Sequence, residues 1–131
     1  MQPSYEYLPK PEAASPDYMR DVLDQYYMNK WNPNKDAVAS VRTWLDWPMV
    51  VRMPDINKDF TVLINEGKVL EITIGLPKMP RILTTMLADT MQRIYYDETT
   101  SAIELIAGRI KVRGNETERR RMLAAISYLT W

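Results

Sequence analysis

The chain has no cysteine and no histidine. The first absence excludes a disulfide framework, a thiolate zinc site and a cysteine nucleophile; the second removes the commonest general base and metal ligand. An excess of charge is missing too. The 17 basic residues balance 17 acidic ones, so no global field gathers nucleic acid, and the basic residues form no arm interleaved with aromatics. Nucleic acid is not an expected partner. No apolar run approaches the roughly 18 residues of a membrane span. Residues 1–16, MQPSYEYLPKPEAASP, are proline-rich and lack a basic start or an apolar signal core. The expected localisation is cytoplasmic.

What is present fits one folded unit. A chain of 131 residues, 46% of them hydrophobic, is not disordered by composition. A domain of this length buries roughly two-thirds of its unfolded surface, enough for a core without staples. Residues 1–14 read as a flexible tail and residues 15–131 as a single domain.

Ser15 and Pro16 make a capped start for a helix with Met19, Val22, Leu23 and Tyr26 on one stripe, ending near Trp31-Asn32-Pro33. Asn34 caps a second helix with Val38, Val41 and Leu45 on its apolar side, and Trp47-Pro48 ends it. The period then shifts to strands. Residues 49–53 are short and apolar, residues 59–65 place Phe60, Val62 and Ile64 together, and residues 68–74 place Leu70, Ile72 and Ile74 together. Asn65-Glu66-Gly67-Lys68 is a hairpin signal, and the two prolines in residues 75–80 require a loop.

Residues 81–115 carry the clearest plan: a strand, a broken helical segment, a glycine stop and another strand. Residues 81–87 roughly alternate. Met91, Ile94 and Tyr95 fall at i, i+3, i+4, and Ile103, Ile106 and Ala107 repeat that spacing after a turn at residues 97–101. Gly108 stands where a helix end favours a left-handed residue. Residues 109–113 alternate strictly, with Ile110 and Val112 on one face and Arg109, Lys111 and Arg113 on the other. A last helix starts at Asn115, with Glu118 in the capping-box position and Met122, Ala125, Ile126 and Leu129 on one stripe. The order predicts an α+β fold: a five-stranded, largely antiparallel sheet with helices packed on one face.

The run Ala107-Gly108-Arg109-Ile110-Lys111-Val112-Arg113-Gly114-Asn115, preceded by the apolar Ile103-Glu104-Leu105-Ile106, resembles the signature of the sterol carrier protein 2 family of small lipid-binding domains. The resemblance covers residues 36–126 in element order and residues 82–115 in residue pattern. It implies a sterol carrier protein 2-like domain with an apolar tunnel between sheet and helices, lined by Phe60, Val62, Ile72, Met91, Ile94, Tyr95, Ile103, Ile106, Ile110, Met122 and Ile126. The implied partner is a fatty acid, an acyl-CoA or a sterol, with no cofactor, no metal and no catalytic residue. Two features depart from the family: the chain ends Tyr128-Leu129-Thr130-Trp131 rather than in a peroxisomal Ser-Lys-Leu signal, and residues 116–121 are charged where the family is small and apolar.

Ordinary core packing explains the same stripes, and the nine methionines serve either as gap fillers or as an adaptable ligand wall. Tyr95-Tyr96 places a hydroxyl at a cavity mouth or packs a ring with a wet tip. Arg109, Lys111 and Arg113 meet anionic headgroups or form a solvated face that discourages sheet aggregation. Trp44 and Trp47 wedge the second helix onto the sheet or, with Trp131, mark a membrane-surface contact or a homodimer. Asp89, Asp97, Glu98 and Glu104 are too scattered to make an acid–base site, so the chain is not expected to be an enzyme. The alternative to a lipid carrier is an interaction or oligomerisation module with a filled core.

Overall fold

The computed structural model of the protein describes residues 6–131; residues 1–5 of the expected tail lie outside the described residues. The first helix, α1 (Pro16–Tyr26), starts as its sequence dictates: the Ser15 hydroxyl accepts from the Tyr18 N–H, and Pro16 fills a position that needs no donor. Met19, Val22, Leu23 and Tyr26 are all buried, each such side chain contributing about 1.5–3 kcal/mol. A π turn, Tyr27–Trp31, widens the last turn and keeps Tyr27, Lys30 and Trp31 inside.

Helix α2 (Lys35–Ser40) is capped by Asn34, whose Oδ1 accepts from Ala37 N–H at 3.0 Å. It ends a turn earlier than its apolar spacing predicts. Leu45 is 62% exposed, and the inward positions are Ala37, Val41 and Trp44. Trp47 belongs to the next strand and stacks on Trp44, with ring centres 4.7 Å apart, so the two indoles join helix to sheet.

The strands are β1 (Trp47–Met53), β2 (Lys58–Asn65), β3 (Lys68–Ile74), β4 (Ile82–Thr85) and β5 (Lys111–Arg113). They form one sheet in the order β3-β2-β1-β4-β5, antiparallel except for the parallel pair β1/β4. Four strands in simple succession would leave β4 beside β3. Instead residues 75–81 carry the chain across to the far side of β1. Their path is fixed at both ends: Thr61 Oγ1 donates to Gly75 O at 2.8 Å, and Arg81 N–H donates to Pro48 O at 3.0 Å. Thr61 is the cross-strand partner of Val50, so the crossing starts above Val50 on the face away from the helices. Val50 is 1% exposed although it points away from the main core.

The inner face of the sheet carries Met49, Val51, Met53, Phe60, Val62, Ile64, Val69, Ile72 and Ile82. The expected alignment of Leu70, Ile72 and Ile74 is corrected by a bulge. Leu63 pairs with Glu71 but Ile64 pairs with Val69, which leaves Leu70 unpaired and 53% exposed. Val69 takes the inward place, and Ile74, at the end of this edge strand, is 41% exposed.

Over that face lie α1 and α2, then α3 (Ala88–Tyr95), α4 (Ser101–Ile106) and α5 (Glu116–Ser127). Asn115 caps α5 through Glu118 N–H at 2.9 Å. The Glu118 carboxylate reaches Arg81, while Glu116 pairs with Arg120. No helix among the described residues is long and apolar enough to cross a membrane.

The β2–β3 turn has positive φ at both Glu66 and Gly67, the geometry that two-residue hairpins favour. A Cβ on Gly67 would stand 2.3 Å from Val38 O, and the Gly67 carbonyl accepts from Trp31 Nε1 at 2.8 Å. Gly67→Ala is therefore expected to destabilise the domain by more than about 1 kcal/mol in urea unfolding, because strain is added to a steric collision; an unchanged midpoint would contradict this turn geometry.

Candidate functional site

The end of β4 supplies the centre of the site. After Thr84 and Met86 turn inward, the chain enters α3 directly at Leu87, which offers no side-chain cap. Asp55, in a short 3-10 turn (Pro54–Ile56), replaces that cap: its carboxylate accepts from Ala88 N–H at 2.7 Å and Asp89 N–H at 3.3 Å.

Two spaces flank Met86. The inner one is a void between sheet and helices, bordered by Tyr26, Tyr27, Trp31, Thr84, Met91, Ser101, Ile110, Met122, Ile126 and Leu129 as well as Met86. It leaves about 20 Å³ for the centre of a water-sized sphere, room for about one water. Three of its hydroxyls are engaged: Tyr26 bonds Ser101, and Thr84 Oγ1 lies 3.5 Å from Met49 Sδ. Burial pushes the Tyr27 phenol well above its ordinary pKa, so it stays neutral. The outer space is a groove of about 250 Å³ on the same measure, bordered by Pro54, Thr85, Met86, Leu87, Thr90, Gly108, Arg109 and Lys111. Met86 is common to both.

The eleven tunnel residues expected from the sequence fall into three sets. Met91, Ile110, Met122 and Ile126 line the inner void. Phe60, Val62, Ile72, Ile94 and Tyr95 are buried but border neither space. Ile103 and Ile106 are corrected outright, being 54% and 88% exposed. The reason is the phase of α4. Thr100 caps it by accepting from Ile103 N–H, and the inward positions go to Ser101, Ala102 and Glu104, so the apolar stripe read from spacing lies on the outer side.

Glu104 is the unexpected core residue. It is 0% exposed, and its carboxylate is reached by Arg93 from α3 at 3.2 Å and by Arg109 Nε at 3.0 Å. Its backbone carbonyl accepts from the N–H groups of Arg109 and Ile110. The bonds from Arg109 hold the Glu104 carboxyl below the usual glutamate range, against the opposing effect of burial.

Tyr95 and Tyr96 also serve otherwise than at a cavity mouth. The Tyr95 hydroxyl accepts from Leu8 N–H at 2.8 Å and donates to Gln25, while Tyr96 donates to Leu8 O at 2.7 Å. They hold the irregular N-terminal segment against α3. Lys30, buried, pairs with Asp97 and lies 5.4 Å from the Trp131 ring centre. Sequence reasoning missed Met86, Thr90 and the π-turn aromatics. The alternation Ile82, Thr84, Met86 was the available signal for the first. Among the described residues no cluster of His, Cys, Asp and Glu is placed to hold a metal ion.

The lowered carboxyl gives a signed pH dependence. The contribution of Glu104 to stability is complete above the ordinary glutamate pKa of about 4.3 and is lost as pH falls through its lower folded-state value. Glu104→Gln is expected to cost about 1–3 kcal/mol at neutral pH, measured by urea unfolding, with the gap from wild type closing in acid. A gap that does not narrow as pH falls below the ordinary glutamate range would mean that the charge is not what Glu104 contributes.

No family model matches the sequence, and no curated protein matches it. Solved structures do match its fold. The solution structure of palmitated SCP2L2 from Aedes aegypti has a TM-score of 0.56 at 15% identity, over 84% of this chain and 95% of that one. UbiJ-SCP2, a ubiquinone synthesis protein, gives 0.54 at 10% identity, over 85% and 94%. The stereoselective inverting sec-alkylsulfatase Pisa1 from Pseudomonas sp. gives 0.54 at 13% identity over 90% of this chain, which spans only 17% of that enzyme's length. At these identities the likeness is one of architecture, and together with the element order, the mixed five-stranded sheet and the helical layer on one face it establishes that this chain has the sterol carrier protein 2 fold.

Proposed function

We propose that the protein is a lipid-binding domain, a carrier rather than an enzyme, that takes an apolar chain between the sheet and its helical layer. The observation that carries this reading is Met86, which borders both the outer groove and the inner void. Displacing one thioether side chain would join the two spaces. Met91 and Met122 stand in the same wall, and unbranched, polarizable methionines re-pack more readily than branched residues. The inner void has room for about one water, so binding a chain requires this wall to move. Each apolar ångström squared removed from water contributes about 25 cal/mol, which is the driving force available to hold the wall open. Support also comes from the fold that this chain shares with palmitated SCP2L2.

A second reading has its own observations. The void is small enough for a filled core, and Ile106 at 88% exposure with Ile103 at 54% puts two large apolar side chains on the outer side of α4. These favour an interaction module that buries α4 against a partner.

Native mass spectrometry of gently purified protein and displacement of a fluorescent fatty acid separate the two. A carrier gives copurified lipid or a saturable signal, and Met86→Trp, which plugs the passage, removes that signal while far-UV circular dichroism remains that of the wild type. A filled core gives no saturable signal from the wild-type chain, and Met86→Trp then only destabilises it, by about 1–3 kcal/mol. Absence of uptake by the wild type would overturn the carrier reading.

A further inference from the structure

Resting on that carrier reading, we propose that the outer groove is a headgroup subsite for an anionic amphiphile, an acyl chain ending in a carboxylate or phosphate, and that Lys111 and Thr90 are the residues that recognise it. Thr90 is 1% exposed, borders the groove, and its hydroxyl oxygen is buried with no hydrogen-bond partner. Buried hydroxyls in native proteins are nearly always paired, and rotation about one side-chain bond exchanges this hydroxyl with its methyl group. The hydroxyl is therefore a donor not committed to another group at a residue that borders the groove.

The charge at the groove points the same way. Arg109 and Lys111 both border it. Arg109 is committed to Glu104 through two of its nitrogens, whereas Lys111 has neither an ion pair nor a hydrogen bond from its side chain among the described residues. The nearby carboxylates are spoken for: Glu104 by Arg93 and Arg109, Asp89 by Arg93, and Asp55 by the first N–H groups of α3. The uncompensated group at the rim is therefore a cation. Pro54, Leu87 and Met86 border the same groove as Lys111, and Met86 also borders the inner void, so a ligand seated here would keep its anionic end against lysine and threonine while its chain passes Met86. A sterol, whose polar end is one neutral hydroxyl, would leave Lys111 unused. Charge-assisted hydrogen bonds are roughly twice as strong as neutral ones, and this difference sets the selectivity.

The test uses three probes of one chain length, hexadecanoate, hexadecyl phosphate and 1-hexadecanol, each below the concentration at which it aggregates, titrated by displacement of a fluorescent fatty acid. The proposal expects one or both anions to bind about tenfold or more tightly than the alcohol, with a preference that shrinks as salt is raised. The anion that binds more tightly identifies the carboxylate or phosphate source. Lys111→Gln and Thr90→Val are each expected to reduce the anion-to-alcohol ratio toward one. Because this ratio is measured within a single variant, a partial loss of folded protein does not alter it. Equal binding of all three probes by the wild type, or a ratio that survives Lys111→Gln, would overturn the headgroup subsite and leave the carrier reading standing. If none of the probes binds, both fall.

Discussion

The buried carboxylate of Glu104 is the constraint on which the helical crossover depends. An ionised group with no solvent access is tolerable only when it is paired and hydrogen-bonded. Here Arg109 hydrogen-bonds Oε2, Arg93 from α3 stands 3.2 Å from Oε1 as an ion pair without a hydrogen bond, and the Glu104 carbonyl takes two backbone N–H groups of the approach to β5. One residue thus fixes the rotation of α4, the exit of the chain toward β5 and the distance from α4 to α3. The outward turn of Ile103 and Ile106 follows from it, since a six-residue helix cannot bury both Glu104 and the stripe that Ile103 and Ile106 share. The groove lies beside Gly108, Arg109 and Lys111, the residues that follow α4.

The parallel pairing of β1 and β4 is the second determinant of the site. It sends residues 75–81 over the outer face of the sheet, above Val50, and brings β4 to the side of β1 where its end can open into α3. Met86 then stands between inside and outside. Had β4 joined the edge of β3, its inward residues would have faced α1 and no residue would have been common to a core void and a surface groove. The N-terminal segment adds a further tie, through the paired hydroxyls of Tyr95 and Tyr96 on Leu8, at the opposite end of α3 from the groove.

Much of the architecture was readable from local chemistry. Ser15, Asn34, Thr100 and Asn115 each cap a helix, and of these Ser15, Asn34 and Asn115 announce themselves by residue type just ahead of an apolar stripe. Stripes long enough to repeat, such as Met19 to Tyr26 and Met122 to Leu129, were read in the correct phase. Reading failed where an element was too short for periodicity to outweigh one tertiary contact. Helix α4 was phased by its isoleucines and turned by a glutamate, and β3 was read through a bulge that shifts Leu70 out and Val69 in. Leu45 continues the apolar spacing of α2, but the helix ends before it and Trp44 stacks on Trp47 instead.

The sequence by itself determined the element types, their order and the α+β class, because caps, periods and turn residues act over a few neighbours along the chain. It also set the chemistry available: carboxylates, arginines, lysines, tyrosines and methionines, without thiol or imidazole. Only the tertiary structure decided which methionine borders both void and groove, which carboxylate is buried, and which threonine hydroxyl and lysine at the groove have no side-chain partner among the described residues. Those properties belong to pairs of residues distant along the chain. They arise when the sheet order and the phase of one short helix bring Pro54, Met86, Thr90 and Lys111 around a single space.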